Sequence, residues 1–495
     1  MRVKDYYKGK NVLVTGVTGL MGKALVEKLL RSCPEVGNIY CIVRTKRGQD
    51  PQERWTQTTN SMLFDQLKEK NPESLSKVIV LPGESTAECF GLSEEHQKLL
   101  VENVNIVYHG AASINFAESI VSAVKLNMKN TFSLLELSRR MKKLELFVHV
   151  STAYSNFPRK GEIKEEVYES HLSWRHVLEL VEDECGCETL LHLQPKLLNG
   201  HKSNYTLTKG LSENMVNDYN RYFPVMIVRP SLITGIYKDP VPGWLDMDNF
   251  ISLICKGVRM GVLRVILCDK SREFCHIPLD LSIKAMIVAP WKKSLSSKKE
   301  VDVICCQMDQ ENHQNKMTFH TVHRVAYPMS LSYPDKQAMW YPFSLYTTNP
   351  SIYHVLFLIL HIFPAYFIDM ALKLSGRDPQ LLKVYSSIWA LFELNKYYVN
   401  PHHWFSTSNY KNLEESLLEE DKDEFSMATS DFDPENFIHA NGLHVVKHHW
   451  KEAENSVNPE VLARLRRFKV AHYTLCSVLA IGVSYQAVQL LQSLM

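Results

Sequence analysis

The stretch "VLVTGVTGLMGKALVEKLL", residues 12–30, constrains the fold of this chain more than any other. An apolar run ends in three glycines, Gly16-x-x-Gly19-x-x-Gly22, and a helical pattern begins at once. Gly16 permits a tight turn, Gly19 lets backbone approach a ligand, and Gly22 lets the helix pack close against the strand. Free N–H groups and the dipole at a helix start favour an anion, so the turn is predicted to hold the diphosphate of a dinucleotide.

Short apolar runs then alternate with helical patterns as far as residue 235. "NVLVTG" (11–16), "NIYCIVR" (38–44), "KVIVLPG" (77–83), "NIVYHGAA" (105–112), "LFVHVST" (146–152) and "VMIVRPS" (225–231) read as buried parallel strands. Helices fit residues 23–32, 93–103 and 128–141. The alternation predicts an α/β fold with a Rossmann-like, doubly wound parallel sheet.

The second strand ends "VRTKRG", with Arg44, Lys46 and Arg47 where an NAD site carries a carboxylate for the ribose 2′-hydroxyl. Cations suit a 2′-phosphate, so NADP(H) is the expected cofactor and Arg44, nearest the strand end, its first contact. The plainer alternative is a basic surface loop. Further on, "SNYTLTKGLSE" places Tyr205 and Lys209 four apart, on one face of a helix. An ammonium there lowers the phenol's pKa and readies it as a proton donor. Ser151 and Thr152 end an earlier strand, on the side where such sheets bind ligands, and are candidate partners of the same substrate oxygen.

The remaining chain divides by composition. Residues 1–235 read as the NADP(H)-binding domain, 236–349 as a substrate-covering region and 350–455 as a helical domain. A basic linker, 456–469, precedes an apolar tail at 470–491 that is about long enough to span a bilayer. The stretch "YHVLFLILHIFPAYFI" (353–368) is shorter and interrupted by His361 and Pro364, and reads as a buried or interfacial helix. The acidic run "LEESLLEEDKDEF" (413–425) reads as a solvated helix end. His444, His448, His402 and His403 lack a carboxylate in a ligand pattern, so no metal is expected. A net charge of +2 over 495 residues argues against a nucleic-acid partner. Eleven cysteines without framework spacing, and a first strand starting about ten residues in, suggest reduced thiols and no signal peptide.

Glycine turn, strand-end hydroxyls and Tyr-x-x-x-Lys in that order resemble an extended short-chain dehydrogenase/reductase. The likeness sharpens along the chain. "DYYKGKNVLVTGVTGLMGKALVEKLLRSCPEV", "LFDQL", "HVSTAYSN", "IVRPSLITG" and "LKLSGRDPQLLKVYSSIWALFE" make it similar to a fatty acyl-CoA reductase over nearly its whole length. By this resemblance the cofactor turn comprises Thr15, Gly16, Thr18, Gly19, Leu20, Met21 and Gly22. Glu84 follows the third strand and Ala111 and Ala112 follow the fourth, while Pro230 and Ser231 lie near the nicotinamide. The acid is Tyr205, its helper Lys209, and Ser151 and Thr152 are the strand-end hydroxyls. Gly110 stands where the family has Cys, there is one residue fewer between Asn204 and Tyr205, and "MDNFISL" follows "PGWLD" in place of an Asn-Gly-Pro turn.

The implied activity is reduction of a long-chain fatty acyl-CoA by two NADPH to fatty alcohol and CoA, for ether lipids and waxes. It would take place at a peroxisomal or endoplasmic reticulum membrane, facing the cytosol. Two rival readings stay open at this point: a hydroxysteroid dehydrogenase-like reductase, and a paralogue that binds NADP(H) without turnover.

Overall fold

Both faces of a parallel sheet are covered by its crossover helices, so its strands read as unbroken apolar runs. All six predicted runs form such strands in the computed structural model, which describes residues 1–46, 48–84, 87–308, 316–399, 403–452 and 456–494. They are β1 (Val12–Thr15), β2 (Ile39–Val43), β3 (Val78–Pro82), β4 (Ile106–His109), β5 (Leu146–Val150) and β6 (Val225–Pro230). A seventh, β7 (Asp302–Cys306), joins them, and the parallel order is β7-β6-β5-β4-β1-β2-β3. Val14 of β1 faces Cys41 on one side and Tyr108 on the other. The order reverses between β1 and β4, which opens a crevice beyond their carboxyl ends.

Four helices of this unit matter below: α1 (Leu20–Ser32), α2 (Pro51–Thr59), α3 (Asn204–Tyr219) and α4 (Leu279–Ser294). The chain clusters into two units, each built from separated segments. The first takes residues 1–244, 275–313 and 401–432; the second takes 245–274, 314–400 and 433–495. The region expected to act as one covering segment, 236–349, is therefore shared: it supplies α4 and β7 to the first unit. β7 escapes sequence reading because it follows a charged loop and its partner β6 lies some seventy residues earlier.

A buried ion pair joins α3 to the sheet. Arg229 on β6 makes two bonds to Glu213 on α3, at 2.9 and 2.6 Å, and both side chains are 1% exposed. Two further guanidinium protons go to the Lys164 and Glu166 carbonyls. The acidic run is for the most part solvated as expected, with Glu415, Glu419, Glu420 and Asp423 exposed, but not throughout. Asp421 is buried, accepting from the Val3 N–H at 3.0 Å and from Arg2, while Glu424 meets Lys28 of α1 at 3.0 Å. Only Asp421 is covered by its partners; Glu424 keeps about half of its side chain in solvent.

In the second unit, helical chain runs unbroken from Pro350 to Leu374 (α5), past both residues expected to interrupt it. A π-helical turn at Leu358–Ile362 precedes Pro364. Proline cannot bond the carbonyl four residues back, and that carbonyl, Leu360, instead accepts from Arg264 at 2.6 Å. The neighbouring helix is α6 (Leu381–Val399), and the tail is α7 (Pro459–Leu494). The candidate span of α7 covers 35 residues, and the apolar window within it has none of its residues buried.

Removing one partner of the Glu213–Arg229 pair leaves a buried charge unmatched. Glu213→Ala is expected to cost about 3–5 kcal/mol, whereas the paired apolar change Glu213→Leu with Arg229→Met should cost much less. Denaturant midpoints of the three proteins check this.

Candidate active site

The glycine turn sits at the reversal of strand order. Gly16 has φ +76°, a conformation that side chains disfavour, and a Cβ there would stand 2.9 Å from the Ala111 nitrogen. At position 22 a methyl group would meet the Gly16 carbonyl oxygen at 2.3 Å. The loops after β1 and β4 are thus in backbone contact, and Ala111 N–H donates to Thr15 Oγ1 at 3.2 Å. Gly19 is the N-cap of α1 and offers no side-chain acceptor, so the first amides of the helix, at Leu20, Met21 and Gly22, have no side-chain cap. That uncapped, positive helix end fits a dinucleotide diphosphate.

Arg44 lies just past β2, and the structure brings it a companion that sequence reading missed. Arg54 on α2 donates to the Arg44 carbonyl and to Thr18 Oγ1, the latter at 3.1 Å. Burial and the neighbouring Arg44 lower its pKa, the mark of two cations held near each other. The available signal was an arginine on a capped helix ten residues after Arg44; only the fold turns it toward the glycine turn. Arg47 lies outside the described residues. Glu84 sits two residues beyond β3, its N–H donating to the Phe90 carbonyl at 2.7 Å.

Across the crevice, α3 begins at Asn204 with Ser203 as its cap, accepting from Thr206 N–H at 3.3 Å. Tyr205 is half-buried in the first turn, its ring edge-to-face with Phe116 at 5.5 Å. Lys209, one turn on, is buried. Its Nζ donates to the Val150 carbonyl at the end of β5, 2.6 Å away, and lies 3.4 Å from His149 Nε2. Burial lowers the ammonium's pKa to about 8. Burial and Lys209 together keep His109 and His149 neutral, the former at about 3. His109 bonds Thr15 Oγ1 at 2.8 Å and Thr131 Oγ1 at 2.9 Å, so neutral imidazoles fill the space between the cofactor turn and Lys209.

The two strand-end hydroxyls do different things. Ser151 Oγ donates to Glu213 at 2.5 Å and so belongs to the buried ion pair. Thr152 Oγ1 accepts from Tyr154 N–H at 3.3 Å and caps a short turn, which leaves its O–H as a donor. Ser231 is likewise committed, both its N–H and its hydroxyl going to the Cys306 carbonyl. Pro230 ends β6 in register with Cys306, and Ala112 lies in the β4 loop. Cys305 and Cys306 are buried, and burial pushes both thiols up, away from nucleophilic character. Among the described residues no three His, Cys, Asp or Glu side chains form a metal-holding group, although the His444 and His448 rings lie 4.8 Å apart. His402, the other histidine weighed as a ligand, lies outside the described residues, as does the side chain of His403.

A glycine turn at the switch point of a parallel sheet, faced by a tyrosine and a buried lysine, defines an oxidoreductase of the short-chain dehydrogenase/reductase kind with a nicotinamide cofactor. Comparison with known proteins narrows the class. Two family models, both described as male sterility protein and the first of them NAD-binding, match residues 14–286 and 360–452. Fatty acyl-CoA reductase 1 of Homo sapiens is 33% identical over 428 residues, covering 86% of this chain and 82% of its own. Fatty acyl-CoA reductase wat of Drosophila melanogaster is 31% identical over 474 residues, 96% of this chain and 90% of its own. The terminal R domain of the myxalamid PKS-NRPS pathway shares the fold, with a TM-score of 0.59 at 18% identity over 90% of this chain and 93% of its own. The chain belongs to the fatty acyl-CoA reductase family.

Gly22→Ala should weaken dinucleotide binding at least tenfold, because the added methyl must push α1 off the Gly16 carbonyl. Fluorescence titration with NADPH measures it, with circular dichroism to show that the sheet persists.

Proposed function

We propose that the protein carries out the NADPH-dependent, four-electron reduction of long-chain fatty acyl-CoA to fatty alcohol and CoA. The observation that carries this reading is Tyr205 and Lys209 on adjacent turns of α3, with Lys209 bonded to the end of β5, in a chain of this family. Thr15, Gly16, Thr18, Gly19, Leu20, Met21 and Gly22 would cradle the cofactor diphosphate. Arg44 and Arg54 would take a 2′-phosphate, Glu84 and the Ala111–Ala112 loop the adenosine side, and Pro230 and Ser231 the nicotinamide side. Bound NADPH supplies a hydride in each of two successive reductions.

The residues of the chain manage the protons. Tyr205 donates to the carbonyl oxygen as negative charge develops on it, and Thr152 is the second donor; Ser151 instead holds Glu213. Lys209, a cation below about pH 8, would hold the nicotinamide ribose and set positive charge one helical turn from the Tyr205 phenol. The hemithioacetal gives up its hydroxyl proton and expels CoA to leave an aldehyde, which takes the second hydride at carbon and a proton from Tyr205 at oxygen to become the alcohol. No cysteine is asked to carry the acyl group. The tail α7 would anchor the protein in the peroxisomal membrane, with the endoplasmic reticulum second, facing cytosolic acyl-CoA and NADPH and supplying alcohols for ether lipids and waxes.

The deciding measurement is NADPH oxidised per CoA released, in detergent, over a panel of saturated acyl-CoAs. Two per CoA with alcohol as product is expected; none, with NADPH still bound, would leave a binding paralogue without turnover. Tyr205→Phe should lose at least a hundredfold in rate with NADPH affinity nearly unchanged. Arg44→Ala with Arg54→Ala should raise KM for NADPH while sparing NADH.

The alkaline side of kcat/KM should fall near pH 8 as Lys209 loses its proton. Lys209→Arg, which keeps its charge, should move that limb upward; an unmoved limb would assign it to another group.

A further inference from the structure

The helix α5 carries two opposite faces. Tyr353, Phe357, His361, Ala365 and Asp369, four residues apart throughout, form a buried row. His361 Nε2 accepts from the Arg264 N–H at 2.9 Å, and Asp369 accepts from the Gln380, Leu381 and Leu382 N–H groups at 3.1, 3.0 and 2.9 Å. Phe357 packs against Tyr385 and Trp389 of α6. On the other side Ile352, Val355, Ile359, Phe363, Phe367 and Met370, spaced by three or four, are each between 44% and 60% exposed. The most apolar stretch of the helix has a mean hydropathy of 2.1, and the helix's only ionised side chains are the buried Asp369 and, near the end, Lys373. A soluble monomer rarely leaves so long an apolar stripe in water.

The same unit shows what covers it. The tail α7 leaves the unit where Trp340 Nε1 donates to His472 Nδ1 at 3.2 Å and Arg464 donates to the Lys336 carbonyl at 2.9 Å. Beyond that point Val470, Val478, Ile481 and Val483 are all at least 60% exposed. Arg264 donates to Leu360 of α5, and its guanidinium lies 6.0 Å from the ring of Trp340, which in turn bonds His472 of α7. Exposed cations flank both, with Arg466, Arg467 and Lys469 at the tail, Lys373 in the last turn of α5 and Arg377 and Lys383 after it. Such cations complement anionic lipid headgroups.

We propose that α5 is a second membrane element that lies in the bilayer interface, with its exposed face among the acyl chains and its buried row still on the folded unit. Twenty-five residues are long enough to span, but spanning would strip Asp369 of three amide partners and His361 of Arg264 in a medium that offers none. An in-plane helix keeps every one of those bonds and buries the apolar stripe. The inference rests on the tail being a membrane anchor and is independent of the reductase chemistry.

The test uses the full chain with the exposed native thiols Cys185 and Cys476 changed to Ser, reconstituted in vesicles of phosphatidylcholine and phosphatidylserine. A fluorescent label is placed on Phe367→Cys, on Ile359→Cys, or on Lys299→Cys as the aqueous reference. Co-flotation, strong quenching of labels at 359 and 367 by lipids carrying quenchers near the headgroup, and at least fivefold lower iodide quenching than at 299 are expected. Co-flotation with iodide quenching equal to that at 299 would overturn the interfacial helix and leave the anchor standing. Protection from iodide without lipid quenching, with crosslinked dimers, would assign the face to a second copy and equally overturn it. Failure to co-float would remove the anchor and the inference together.

Discussion

The first turn of α1 rests directly on the backbone of Gly16, so closely that one methyl group at position 22 would come within 2.3 Å of a carbonyl oxygen. The bare contact fixes where the helix starts, and the start fixes where its unpaired amides point. Gly16 in turn lies against the Gly110–Ala111 backbone, so the β1 and β4 loops move as one piece. The anion site, the arginines beyond β2 and the loop facing Tyr205 all take their positions from this join. Small residues serve here because the interaction is backbone on backbone, and any side chain would hold the pieces apart.

On the far side of the crevice the polar groups are divided between structure and chemistry. Arg229, Glu213 and Ser151 form one buried set that locks α3 to β5 and β6. Lys209, on the same helix as Glu213, is held one turn from Tyr205 by the Val150 carbonyl. Its other neighbours, His149 and His109, are neutral because burial and the lysine itself disfavour their charge. The one carboxylate that acts on this cation, Glu213, lies a turn further along α3 and is bonded to Arg229, so no carboxylate bonds the ammonium itself. In the second unit a comparable economy appears at Leu360, where Arg264 takes the carbonyl that Pro364 cannot bond.

Much of this was legible in the chain. The six strands announce themselves as apolar runs because both sheet faces are covered, and the glycine spacing after β1 names the turn. Tyr205 and Lys209 are legible by their interval on a helix. β7 was not, coming after a charged loop and paired with a strand far back in sequence. Nor was Arg54, whose role depends on α2 folding back over Thr18, nor the burial of Asp421, which needs the N-terminal residues as partners. Ser151 and Thr152 look equivalent as neighbours at a strand end. Alternation of side chains along β5 and the turn after it sends one to Glu213 and makes the other a cap.

The sequence by itself determined the sheet, the nucleotide turn, the pair on α3 and an apolar tail, because each is written in local period or spacing. Only the tertiary structure decided which arginine joins Arg44, which hydroxyl is spent on the ion pair, and that the chain passes Pro364 as a helix with one face bare. Those outcomes depend on contacts between residues tens to hundreds of positions apart, and the chemical identity of a residue carries no record of which distant group will come to satisfy it.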